Sequence, residues 1–110
     1  MLATLKLDPS AMHQHASDAE QYLKQIANKT RLMILCNLLE KERSVSELLD
    51  VVDVSQPVIS QHLALLREAA LVATRREGQT IYYRLADERV TQTMALLYQF
   101  FCASEEALAE

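Results

Sequence analysis

The chain is predicted to be mainly α-helical with a single β-hairpin, in the order α-α-α-α-β-β-α. Three observations lead there. Half of the 110 residues are apolar, with one glycine, two prolines and few aromatics, a composition that favours packed helices over a sandwich or a disordered chain. Apolar residues recur every three or four positions at both ends of the chain. Between Leu71 and Leu85 that period gives way to two short strand-like runs around the only glycine, Gly78.

Each element has a local cause. Residues 1–9 show no period and are expected to form a flexible arm ending at Asp8-Pro9. From Ser10, the positions Met12, Ala16, Ala19, Leu23 and Ile26 predict an amphipathic helix. Asn28 breaks it before a second helix, Lys29 to about Lys41. There Leu32, Met33, Ile34, Leu35, Cys36, Leu38 and Leu39 are apolar nearly all round, as in a helix buried on several sides. Ser44 with Glu47 forms a capping-box pattern that opens a short third helix through Leu48, Leu49 and Val52. After the tight connection Asp53-Val54-Ser55, Ser55 is a good N-cap. Pro57 is tolerated in the first turn of a fourth helix that runs through Arg67 to about Ala70. Two short helices joined this way are a helix-turn-helix.

The hairpin follows at once, Leu71 to Arg76 and Thr80 to Leu85. Ile81, Tyr83 and Leu85 share one face, and Thr80, Tyr82 and Arg84 the other. Gly78 supplies the positive φ that the turn needs. Asp87 then caps a last helix with a stripe of Val90, Met94, Leu97, Tyr98 and Phe101. A helix able to enter a DNA groove, followed by a basic hairpin, is the layout of a winged helix-turn-helix. There is no repeat, linker or low-complexity segment, so residues 1–110 are expected to be one domain, marginal as an isolated monomer.

The net charge of −4 matters less than its distribution. Residues 55–85 hold four arginines against two glutamates, whereas residues 86–110 hold one arginine against five acidic residues. Positive charge therefore gathers at the helix and hairpin. Gln56, Ser60, Gln61 and His62 are expected on one side of the fourth helix, where glutamine can bond adenine and serine or histidine can reach phosphates or base edges. Arg67, Arg75, Arg76 and Gln79 are the candidates for tracking phosphates or the minor groove, with Arg67 and Arg84 also open to pairing with Glu68 or Glu77. The partner this pattern implies is double-stranded DNA.

No apolar run approaches the ~20 residues of a membrane span, and the N-terminus lacks the order of a secretory signal. A cytoplasmic location without a membrane partner is expected. There, Cys36 and Cys102 should rest as thiols, and any bond between them should be conditional. Read alone, each is more simply a small hydrophobe, Cys36 in a highly apolar helix. No glycine-rich phosphate loop, nucleophile-and-base arrangement or paired carboxylates in a cleft point to an enzyme, and no cofactor is implied.

Residues 28–85 resemble the ArsR/SmtB family of bacterial winged-helix repressors. The likeness lies in Asn28-Lys29-Thr30-Arg31-Leu32, Ser44-Val45-Ser46-Glu47-Leu48, Ser55-Gln56, Ser60-Gln61-His62-Leu63, Leu66-Arg67 and the wing piece Arg76-Glu77-Gly78-Gln79 with Tyr83. It implies a homodimer that pairs its first and last helices across a two-fold axis and reads a palindromic operator. Ile34-Leu35-Cys36 and Phe101-Cys102 are similar to the dithiol branch of that family. That likeness implies a switch in which reactive sulfur or oxygen species link Cys36 to Cys102 and release DNA. Within the family a metal-responsive repressor is the main alternative. The resemblance offers it little here: the third helix carries no cysteine, the last helix no histidine, and His13 and His15 diverge on a helix. A winged-helix regulator without a cysteine switch, or one that binds another protein, is the remaining alternative.

Overall fold

The computed structural model describes residues 7–103. Residues 1–6 of the expected arm lie outside them, as do Glu105, Glu106 and Glu110 of the acidic tail. Helix α1 spans Pro9–Ile26. It begins one residue earlier than expected, because Asp8 accepts a hydrogen bond from the Ser10 N–H at 2.9 Å. Pro9 takes a first-turn position, where its missing N–H costs nothing. Asp8-Pro9 is thus the cap of this helix rather than the end of an arm.

Helix α2 spans Lys29–Asn37 and starts on the Asn28 side chain, which accepts from the Arg31 N–H at 3.1 Å. It stops four residues short of the expected Lys41. The Leu38 N–H is shared between the Ile34 and Leu35 carbonyls, tightening the last turn, and Arg43 Nε donates to the Asn37 carbonyl at 2.8 Å. Ile34, Leu35 and Leu38 are buried but Met33 is exposed, so the helix faces the core on one broad side rather than all round.

A two-residue strand, β1 (Arg43–Ser44), was not foreseen; it is too short to carry an alternating pattern. It leads into α3, Val45–Val51, through a complete capping box. Glu47 N–H donates to Ser44 Oγ at 3.1 Å, and Ser44 N–H donates to Glu47 Oε1 at 2.9 Å. Helix α4 spans Gln56–Glu68. Strands β2 (Val72–Glu77) and β3 (Thr80–Leu85) pair antiparallel from Val72↔Leu85 to Glu77↔Thr80. β1 adds to the far side of β3, giving the sheet order β1-β3-β2. Gly78 has φ +63°, as its turn requires.

The joint between α4 and β2 is a Schellman motif. Ala70 adopts φ 62°, its N–H bonds the Arg67 carbonyl at 2.9 Å, and the Leu71 N–H bonds the Leu66 carbonyl at 3.0 Å. Leu66 and Leu71 are both buried in the same core, the apolar contact that accompanies this cap.

Asp87 caps α5, Glu88–Tyr98, by accepting from the Arg89 N–H at 2.9 Å. The helix widens into a π-turn over Gln99–Ala103. The expected stripe therefore divides. Val90 and Met94 are buried and Leu97 packs on the core, whereas Tyr98 and Phe101 turn outward, Phe101 being 72 % exposed. Leu96 and, on α1, Met12 and Leu23 are also exposed. Tyr22 joins α1 to α5 through a 2.7 Å hydrogen bond with Thr93. Among the described residues no helix is long and apolar enough to cross a membrane.

Candidate nucleic-acid interface and cysteine cleft

Ile59, Leu63 and Leu66 anchor α4 in the core, which leaves Gln56, Ser60, Gln61 and Arg67 exposed. Ser55 occupies the N-cap position by its backbone, but its side chain makes no capping bond. His62 departs from the expected arrangement. On a helix it lies about 200° round from Ser60, and it is half-buried, with Nδ1 3.2 Å from Arg31 Nη1. Burial, then the Arg31 charge, hold its imidazole below the ordinary histidine range.

The hairpin separates its two leading arginines by strand alternation. Arg75 lies over the Tyr82 ring at 4.6 Å and is clamped between two carboxylates. It pairs with Glu77 Oε2 at 2.7 Å and with Glu42, in the connection before β1. The Arg75 hydrogen bond holds the Glu42 carboxyl below its usual range, and the two carboxylates push Arg75 up. Arg76 falls on the other strand face and is exposed, as is Gln79 in the turn. Among the described residues Arg67, Arg76 and Arg84 form no ion pair; of the two partners left open for Arg67 and Arg84, Glu77 pairs instead with Arg75. The structure thus brings Gln56, Ser60, Gln61 and Arg67 together on α4, sets Arg76 and Gln79 on the adjoining wing, and engages Arg75 and His62 elsewhere. Neither Glu42 nor Arg31 was singled out for these contacts, because each partner lies about thirty residues away in sequence.

The two cysteines sit on α2 and on the continuation of α5. Cys36 of α2 lines a cleft of about 490 Å³ with Asn37, Leu39, Glu40, Ala95 and Tyr98. Cys102 lies in the π-turn that continues α5. Both are free and half-buried. Burial raises the Cys36 thiol above its ordinary value, and negative charge at Cys102 raises it further. Among the described residues no three His, Cys, Asp or Glu side chains gather as a metal cage, and His13 and His15 are exposed on α1.

Comparison with known proteins gives this arrangement a family. Residues 28–74, from the cap of α2 into β2, match the model of the bacterial regulatory protein, arsR family. The chain is 45 % identical to the biofilm growth-associated repressor of Agrobacterium fabrum, over 89 % of this chain and 84 % of that protein. It is 42 % identical to the transcriptional activator HlyU of Vibrio cholerae, over 86 % of this chain and 88 % of the relative. Among solved structures, the transcriptional repressor BigR from Xylella fastidiosa superposes with a TM-score of 0.82 at 38 % identity, covering 88 % of this chain and 99 % of that one. The exposed polar side of α4, the wing beside it and these likenesses agree: the chain belongs to the arsR family of bacterial regulatory proteins, as a winged-helix, DNA-binding transcriptional regulator and not an enzyme.

Proposed function

We propose that this regulator is a homodimeric repressor of a palindromic operator, and that oxidation links its Cys36 and Cys102 thiols and releases it from DNA. In this reading residues 1–110 act as one domain in a reducing cytoplasm. The oxidants are reactive sulfur or oxygen species. Gln56, Ser60 and Gln61 read or approach base edges; Arg67, Arg76 and Gln79 hold the backbone. Arg75 enters only if it leaves Glu42 and Glu77. Exposed Met12 and Leu23 of α1 with Leu96 and Tyr98 of α5 and Phe101 of its π-turn supply apolar surface for the two-fold contact.

The observation that carries the switch is that Cys36 opens into a cleft lined by Ala95 and Tyr98 of α5, the helix whose π-turn carries Cys102, although the two thiols stand 66 residues apart in sequence. Their dithiol loses two protons and two electrons as the S–S bond forms. Hydrogen peroxide takes these up and becomes water; a polysulfide takes them up as an S–S bond of its own breaks to release hydrosulfide. A link from α2 to the end of α5 would pull on the helix that meets the partner and change the spacing of the two α4 helices. A ~100-fold release requires ~2.8 kcal/mol between the states, within the usual range of allosteric coupling.

The test combines intact mass with operator binding by anisotropy after anaerobic polysulfide. Wild type is expected to lose two hydrogens, or to gain bridging sulfur, as it leaves the operator. Cys36→Ser and Cys102→Ser are expected to bind when reduced and to stay bound when treated. A single mutant that leaves as readily as wild type rules out the dithiol link. Equal binding to operator and random DNA at roughly physiological salt rules out the specific repressor.

A further inference from the structure

Arg31 does more than begin a helix. From the first turn of α2 its Nε donates to the Gln25 carbonyl at 2.7 Å and its Nη2 to the Lys24 carbonyl at 3.3 Å, both at the end of α1. Its remaining arm reaches α4, placing Nη1 3.2 Å from His62 Nδ1. A guanidinium only donates hydrogen bonds. His62 Nδ1 must therefore accept, which requires it to carry no proton. The neutral ring then holds its proton on Nε2, at the opposite edge, because the bond made by one imidazole nitrogen fixes the state of the other. Among the described residues that Nε2–H has no hydrogen-bond partner. The Arg31 charge disfavours a second positive charge on the ring. Arg31 faces it from α2, and Lys24 of α1 and Glu68 of α4 line the cleft beside Arg31.

We propose that Arg31 is a positioning residue that locks His62 as a neutral, outward-facing Nε2–H donor, and that this donor takes a phosphate oxygen at the edge of the operator groove. The flank position of His62 on α4, well round from Ser60, favours the groove wall over a base edge. A neutral donor adds affinity without releasing a counterion, so its contribution is independent of salt. The inference rests on reading α4 as the DNA-binding helix, and the experiment separates the two.

The probe is a duplex that the wild-type protein selects from a random library, with affinities read by anisotropy on the full, reduced chain. His62→Asn keeps an acceptor at the Nδ1 position for Arg31 but lacks the outward donor. His62→Gln keeps a permanent donor at the Nε2 position. His62→Asn is expected to lose about tenfold in affinity with an unchanged salt slope, and His62→Gln to bind like wild type. Arg31→Ala is expected to lose about tenfold beside His62 and nothing beside Gln at that position. Equal losses in both backgrounds would mean that Arg31 acts only through folding and would overturn the proposal.

Two further arms identify the acceptor. Duplexes carrying single methylphosphonates should cost wild type about tenfold at one position per half-site and cost His62→Asn nothing there. Duplexes carrying 7-deazapurines should show no such position; if they alone do, the acceptor is a base and the phosphate assignment is wrong. Should Arg31→Ala fail to fold, the imidazole nitrogen spectrum of wild type decides. A neutral ring protonated at Nε2, shifted by operator, supports the lock, whereas a ring protonated at Nδ1 or unmoved by operator overturns it. A library that yields no preferred sequence overturns the DNA reading of α4 and this inference together; a clear preference with His62→Asn binding like wild type overturns the inference alone.

Discussion

Formation of the cysteine link should depend on pH through Cys36. The thiolate is the attacking species, and an ordinary cysteine is about 3 % ionised at pH 7. Burial pushes Cys36 above the ordinary value, and the Cys102 charge pushes it further, so Cys36 lies below that fraction. Below its pKa, the Cys36 thiolate rises about tenfold with each pH unit. Once Cys102 carries the oxidised sulfur, attack by Cys36 closes the link, and closure should accelerate by nearly a hundredfold over the two units from pH 6.5 to 8.5. Cys102→Ser removes the neighbouring charge and leaves the burial, the larger cause. Cys36 should then ionise at a lower pH than in wild type, though still above an ordinary thiol. Pulsed alkylation with iodoacetamide across pH, followed by peptide mass, measures this directly. Restricted access slows alkylation equally at every pH, so the midpoint of the profile, not the rate, is the readout. A wild-type midpoint at or below that of a small-molecule thiol, or one that Cys102→Ser leaves in place, would refute the reasoning.

Other variants probe the remaining parts. Gln61→Ala should cost ~1–3 kcal/mol on the operator and relax base preference, whereas Arg76→Ala should weaken all sequences alike and lower the salt slope by about one, both read by titration at several salt concentrations. Glu42→Gln frees one side of Arg75, and non-specific DNA binding should gain both affinity and salt slope in the same assay. Leu96→Glu places a charge where the protomer is 48 % exposed, so sedimentation should find folded monomers; a folded dimer would move the contact elsewhere. Ser44→Ala loses the Oγ acceptor of the capping box and should destabilise the protein by about 0.5–2 kcal/mol in urea unfolding.

Most elements were legible because their causes are local. Ser44 and Glu47 mark α3 by a bond pattern three residues long, Pro57 marks the first turn of α4, and Gly78 marks the hairpin turn by its φ. What escaped has causes distant in sequence. The end of α2 carries no glycine or proline; it is fixed by Arg43 reaching back to Asn37, while Leu38 and Leu39 continue the apolar pattern past it. β1 exists only because β3 lies beside it. His62 stands in the polar run of α4, yet the 100° turn per residue carries it well round from Ser60, where Arg31, distant in sequence, engages its ring. Composition could count the hairpin arginines but could not say that Glu42 engages Arg75 and leaves Arg76 free.

The left-handed Ala70 has a mechanical consequence. A side chain makes that conformation costly, by roughly 1–2 kcal/mol, and glycine would relieve it at the expense of a more flexible chain. Holding alanine there, with the Leu71–Leu66 bond beneath it, makes the end of α4 and the start of β2 a stiff bracket rather than a hinge. In the proposed reading, two contact surfaces on one stiff bracket would behave like a bidentate chelate: once α4 is seated, the wing would meet its strip of backbone at high effective concentration. The same stiffness would make dissociation concerted, because α4 could not be displaced while the wing kept its hold. A small rotation of each bracket within a dimer would then loosen both grips in one step.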